Sequence, residues 1–231
     1  MKPGPRRSLT ESDVLAAATA LLAERGAGGV SVRGIAARLG VVPNAVYTYF
    51  PDRAAVLAAL VDDVLGRVDR DAFTDPARPW RERLVALALA LRAELLADPG
   101  VVRLMGGSPP VGAHALAVQE TMLSLLQDAG LGPDDAARAA YLLTVHVLGS
   151  VALEAAELTD PGAPPPEEER VAARARVFAA VPPQRYPRTA AVAPTMARYI
   201  TTEQYRWGLD RVLDGIARSG AAPPDPAGPG A

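Results

Sequence analysis

Residues 40–50 read "GVVPNAVYTYF", and the way this stretch folds decides what surrounds it. Gly40 can close a helix in the left-handed conformation, and Pro43 is tolerated in the first turn of the next one. A short helix is therefore expected from about Pro43 to Tyr49. Val46 then points to a core, which leaves Asn44, Ala45, Thr48 and Tyr49 outward and Tyr47 at the edge. Two readings compete: the aromatics close a small helical core, or the segment is a helix offered to a partner. Phe50 suits the core, and Tyr47 stands open between the two.

Working outward, residues 31–39 supply the preceding helix. Ser31 can cap it, and Ile35, Ala36 and Leu39 of "VRGIAARL" share a face. Before it lies a longer helix that Thr10 can cap with Asp13, with Val14, Leu15, Ala18, Leu21 and Leu22 at helical spacing. The glycines of "ERGAGG" (24–29) stop it. After Pro51, Asp52 can cap a fourth helix that carries Val56, Leu57, Leu60, Val61 and Val64. A helix, a turn at glycine and a short second helix form a helix-turn-helix, whose second helix lies in the DNA major groove.

Farther on, "TDPARPW" (74–80) is a connector, and Ala/Leu helices are expected at about 80–97, 99–106, 112–129 and 134–157. A helix over about 167–180 and a loop over "VPPQRYPRTAAVAP" precede a final helix, "TTEQYRWGLDRVLDGIARS". The tail "GAAPPDPAGPGA" has too little hydrophobicity to fold. No strand alternation is present, so the chain reads as all-α. An N-terminal three-helix head is followed by a larger C-terminal helical bundle.

Composition agrees with this reading. Of 231 residues, 49% are hydrophobic and only 5% aromatic, so the core must come from Ala, Leu and Val. Cysteine is absent, which rules out disulfides and thiolate chemistry and fits a reducing, cytoplasmic setting. The basic start, "MKPGPRRSLTESD", has no apolar run behind it, so no secretory leader is expected. The stretch 139–158 is long enough to span a bilayer, but His146 and two glutamates make it read as a buried helix, and no membrane partner is expected. Up to Ala55 the charge is +3, and the remainder carries −5. A basic head on an acidic body suits an anionic partner for the head alone.

Residues 9–60 resemble the DNA-binding domain of the TetR family of transcriptional regulators. The resemblance rests on the Ser-x-Arg start of the second helix, the "IAARLGV" turn, the Tyr-x-Tyr-Phe end of the third, and a basic residue opening the fourth. It implies a base contact from Arg33, which can bridge guanine O6 and N7, and at the base-facing Asn44 either an amide pairing with adenine or a backbone amide meeting phosphate. It also implies phosphate contacts from Tyr47 and Arg53, with Ser31, Thr48 and Tyr49 beside them. Ala45 stands where the family often has Ser or Thr, so that phosphate bond is missing. Arg6 and Arg7 are candidates to replace it from a minor groove.

The body resembles, more loosely, that of tetracycline repressors, notably in Pro79–Trp80, "GLGPDDAARAAYLLTVHVLGSVALE" and "EQYRWGLDRVLDGI". This implies a domain over 75–219 that binds an effector and dimerises. A head over 1–55 and a connecting helix over 56–74 would precede it, and a disordered tail over 220–231 would follow. Small residues on the last two long helices (Ala136, Ala140, Gly149, Ala152, Gly208) support close pairing of two chains. A two-fold homodimer suits a palindromic operator. The positions that hold drug and magnesium in tetracycline repressors fall on Asp69, Leu87, Leu91 and Met105. That polar chemistry is gone, so no metal or other cofactor is expected. The effector candidates are Leu87, Leu91, Met105, His114, Met122 and His146, an apolar lining for a hydrophobic or aromatic molecule.

Two rival classes remain at this point. An enzyme would need His114 or His146 to work with Glu154 or Asp69, and no HExxH, GxSxG or phosphate-loop motif accompanies them. A protein-binding helical module would make Arg33 and Asn44 incidental. Repression is the expected sense of regulation, with activation as its alternative.

Overall fold

The computed structural model describes residues 9–105, 111–158 and 165–220, and every regular element among them is helical. Arg6 and Arg7, and the tail beyond Gly220, lie outside the described residues.

The head is built from α1 (Glu11–Gly29), α2 (Val32–Leu39) and α3 (Pro43–Tyr47). Each start is set locally. Asp13 N–H donates to Thr10 Oγ1 at 3.2 Å while Thr10 N–H donates to Asp13 Oδ2 at 3.0 Å, a reciprocal cap. Gly34 N–H donates to Ser31 Oγ at 3.0 Å. The α1 path breaks at Gly26, with φ of 66°, and Gly40 takes φ 67° and ψ 30°, the left-handed region that favours glycine. At Gly40 the chain turns sharply enough to seat α3 against α2.

Helix α4 (Arg53–Gly66) starts on Asp52, whose Oδ1 accepts from Ala55 N–H at 2.8 Å. It ends at Gly66, short of the expected 74, and a 3-10 turn, Arg70–Phe73, carries the connection onward. The body follows as α5 (Trp80–Ala97), α6 (Pro99–Val102), α7 (Ala113–Asp128), α8 (Pro133–Glu157), α9 (Glu167–Ala179), α10 (Pro187–Ala191), α11 (Ala193–Met196) and α12 (Thr202–Gly220). Helices α10 and α11 replace the loop expected over "VPPQRYPRTAAVAP". Pro187 and Pro194 sit in the first turns of these helices, where a missing N–H costs nothing.

One hydrophobic cluster runs through the molecule. It begins with Val14, Leu21, Ile35 and Val46 in the head, continues along Val56, Leu60 and Val64 of α4, and reaches Leu87, Leu125, Leu126, Val147, Leu209 and Leu213 in the body. Helix α8 alone among the described helices is long and apolar enough to cross a membrane. Its buried side, from Ala136 through Leu143 and Val151 to Ala155, instead packs on α5, α6, α7 and α12.

Remote carboxylates reach the starts of two body helices, α7 and α12. No side chain of α7 caps its own start, and Asp62 of α4 does so instead. Ala115 N–H donates to Asp62 Oδ1 at 2.9 Å and His114 N–H to Oδ2 at 3.3 Å. Gly112 allows the approach, since a Cβ there would lie 2.2 Å from the Asp62 carboxyl carbon. At the start of α12, Glu167 of α9 accepts from Thr202 N–H at 2.9 Å, beside a local cap in which Gln204 N–H donates to Thr201 Oγ1 at 3.2 Å.

Candidate nucleic-acid interface and effector chamber

The reading helix is pinned by one side chain. Val46 is 0% exposed, and it anchors α3 between α2 and the rest of the head core. Tyr47 is 51% exposed, so it stands on the outward side and not at its edge. Asn44 and Thr48 are exposed beside it, with the Thr48 hydroxyl donating to the Asn44 carbonyl at 3.2 Å; Ala45 is half-buried. Arg33 is exposed in the first turn of α2, two residues after the cap at Ser31. Phe50 is buried, as expected of a core aromatic. The two aromatic readings are thus divided between residues: Phe50 closes the core and Tyr47 faces out.

Two candidates have employment within the fold. The Tyr49 hydroxyl donates to the Leu9 carbonyl and ties the end of α3 to the chain entering α1. The Arg53 guanidinium, expected on phosphate, lies on carbonyls: Nε donates to Val30 at 2.7 Å and Nη2 to Ala27 at 2.5 Å. It adds a charged donor to the Ala27 and Val30 carbonyls where α1 ends, a use invisible from the sequence.

The six effector candidates fall in three places. Leu87 and Leu91 of α5 and Met122 of α7 are buried in the common core, with Met105 half-buried against it. There the apolar faces close on one another. His114 instead sits at the start of α7, its Nδ1 3.2 Å from Asp62 of α4. His146, half-buried on α8, lies beside α12, with Nε2 3.1 Å from the Tyr205 carbonyl and the two rings 5.1 Å apart. A carbonyl only accepts, so Nε2 is the donor. The pairing needs Gly208, because a Cβ there would stand 2.7 Å from the His146 ring.

Around His146 there is a cavity of about 260 Å³ between α8 and α12, with Ser150, Glu154, Tyr199, Gln204 and Tyr205 among its walls. Burial pushes the Tyr205 phenol well above the ordinary tyrosine range, outweighing the opposing pull of Arg92. Its hydroxyl donates to the Ala88 carbonyl at 2.8 Å. Behind Glu154 lies an ion cluster that sequence reading missed. Arg92 Nη2 reaches Glu154 Oε2 at 2.6 Å, Arg170 Nη2 reaches Oε1 at 3.1 Å, Arg170 Nη1 reaches Glu157 at 3.3 Å, and Arg174 Nη1 reaches Glu157 at 2.6 Å. The signal was present as Glu154/Glu157 at i,i+3 and Arg170/Arg174 at i,i+4, one face on each of two helices.

Helix α4 links the two regions. Besides Asp62, it sends Arg67 to Asp98 at 2.5 Å and to Asp63 at 3.0 Å. Burial works against the Arg67 charge, and the two carboxylates more than offset it, so its pKa lies above the ordinary arginine value. At the other side of the junction, Gly100 of α6 comes close to Leu22 of α1, where a Cβ would meet the Leu22 side chain at 3.0 Å.

Comparison with known proteins agrees with this two-part layout. The family described as "Bacterial regulatory proteins, tetR family" matches residues 14–60, and "Tetracyclin repressor-like, C-terminal domain" matches residues 74–219. The tetracycline repressor protein class A from transposon 1721 of Escherichia coli is 32% identical over 154 residues, 67% of this chain and 71% of that protein. The crystal structure of a possible TetR family transcriptional regulator from Streptomyces coelicolor A3(2) is 30% identical, with a TM-score of 0.75, covering 91% of this chain and 100% of that one. Streptomyces coelicolor ActR in complex with actinorhodin, at 20% identity, shares the fold with a TM-score of 0.78 over 92% of this chain and 97% of its own.

Proposed function

The chain belongs to the TetR family of bacterial transcriptional regulators, and from that premise we propose that it is a repressor released from its operator by a small effector with a hydrophobic or aromatic body. Two copies would set α3 into successive major grooves of a palindromic site. Arg33 and Asn44 would read bases, Tyr47 and Thr48 would hold phosphate, and Ser31 would position α2 beneath Arg33. The observation that carries the reading is the contrast along α3 and its C-terminal neighbour: Val46 is sealed inside while Asn44, Tyr47 and Thr48 are exposed.

Pairing is supported by apolar side chains left outward on α8 and α12. Tyr141, Leu142, Val145 and Leu153 are exposed on α8, and Trp207 on α12 is 58% exposed. An unpartnered apolar face of this kind marks an interaction surface. The fold-mate ActR has been solved in complex with actinorhodin, and the relative above is a tetracycline repressor; both support a small-molecule effector. We read the chain as a regulator and not an enzyme, acting in the cytoplasm where its operator is. The relatives reported are regulators, and His114 and His146 join helices to one another.

The test begins with genomic fragments selected by the full-length protein. Arg33→Ala and Asn44→Ala should each weaken binding to the selected operator about tenfold to a hundredfold in a mobility-shift titration, with relaxed preference at one base position. Unchanged affinity in both variants would sink the reading.

A further inference from the structure

Arg53, the first residue of α4, folds back onto the head. It crosses 23 residues of sequence to reach the Val30 carbonyl with Nε and 26 to reach that of Ala27 with Nη2. The Nε–Nη2 edge is one that a guanidinium can offer bidentately to a phosphate, and here two carbonyls occupy it. The Ala27 oxygen already takes Val30 N–H at 3.3 Å, so the backbone closes this corner without help from the arginine. The side chain therefore adds direction at a corner whose backbone turn is already made.

The corner it grips is where α2 begins. Val30 directly precedes Ser31, whose hydroxyl caps α2, and Arg33 follows in the first turn. Farther along, α4 is held by the body: Asp62 accepts from Ala115 N–H, and Arg67 pairs with Asp98. Between these ends Val56, Leu60 and Val64 pack into the common apolar cluster. Apolar packing is non-directional and permits sliding, whereas two hydrogen bonds from one planar fork fix an angle. We propose that Arg53 is a positioning residue that sets the half-site spacing the dimer accepts. It makes no phosphate contact; it fixes the angle between α4 and the α2–α3 pair, and through it the separation of the two reading helices. The proposal rests on the operator reading above.

Two variants of the full-length protein separate this role from a phosphate contact: Arg53→Gln removes charge and fork, and Arg53→Lys keeps the charge alone. The probes are the operator duplex selected from genomic fragments and the same duplex with one base pair inserted at its centre. The insertion moves one half-site by about 3.4 Å and about a tenth of a turn. In anisotropy titrations both variants should bind the selected operator about tenfold more weakly, because a smaller fraction of dimers holds the right separation. Both should bind the stretched operator within about twofold of the wild type, so the penalty for the insertion shrinks. A lost phosphate contact in each protomer would make the salt slope of Arg53→Gln shallower by about two, whereas a change below about one half is expected. Circular dichroism checks each variant, and if Arg53→Gln fails to fold, Arg53→Lys decides. Wild-type affinity in Arg53→Lys, a slope shallower by about two in Arg53→Gln, or equal losses on both operators would overturn the proposal and leave the operator reading standing. A wild type that selects no fragment sinks that reading and this proposal with it.

Discussion

The head caps its helices with neighbouring side chains, while in the body two helix starts also depend on carboxylates from distant segments. In the head, Thr10, Ser31 and Asp52 each cap the helix that begins beside them, accepting from an amide three residues on. In the body, α7 is capped by Asp62, 52 residues away from His114, and α12 adds to a local cap, Gln204 N–H donating to Thr201 Oγ1 at 3.2 Å, a remote one from Glu167, 35 residues away from Thr202. Local caps let a helix declare its start before anything else has folded. Remote caps make the start of one helix conditional on the placement of another. The head is thus a self-specifying unit, while the body is specified by agreement among distant segments, and helices in it can be shifted by moving what caps them.

This contrast is sharpest at Asp62. Asp62→Ala strands two amides and the His114 ring at the α4–α7 junction, and hydrogen bonds to a charged group contribute about 1.5–3 kcal/mol each. The expected loss in urea unfolding is about 3 kcal/mol. A loss no greater than that of a local cap would break the comparison. Tyr205→Phe comes next, at about 1.5 kcal/mol, because it removes the buried bond to the Ala88 carbonyl. It also has a pH signature. The folded state holds the Tyr205 proton more tightly than the unfolded chain does, so this stability is complete below the unfolded tyrosine value of about 10 and declines as pH rises above it. Melts of the wild type above that pH should lose stability more steeply than those of Tyr205→Phe, and parallel slopes would contradict the burial argument. Ser31→Ala is the smallest, at about 1 kcal/mol, since water can reach the amide it exposes. If Ser31→Ala proved costlier than Asp62→Ala, the head would be the less self-sufficient region after all.

The same division explains what the sequence could and could not disclose. The bounds of α2, the caps at Thr10, Ser31 and Asp52, and the left-handed Gly40 were legible because each depends on residues a turn apart. Helix α3 is shorter than expected, ending at Tyr47, because the chain turns at Thr48 and Tyr49 to bring Phe50 inward. Arg33 and Asn44 were legible as outward-facing. Arg53 was not legible as a clamp on Ala27 and Val30, since that use depends on how α1 ends after Gly26. In the body, helix positions followed from periodicity, but side-chain destinations did not. Leu87 and Met122 went into the core, and His114 and His146 went to two different junctions. The cluster joining Arg92 to Glu154, Arg170, Glu157 and Arg174 spans α5, α8 and α9, so no single window of sequence contains it.

The unbroken apolar cluster along Val56, Leu60 and Val64 bears on how such proteins can be recombined. A seam placed at residue 55 would cut between a helix's cap and the side chains that the cap orients. A transplanted head would then arrive without the wall it leans on. Any chimaera that borrows this reading module must take the whole of α4 with it, along with a host whose seventh helix can accept a carboxylate at its start.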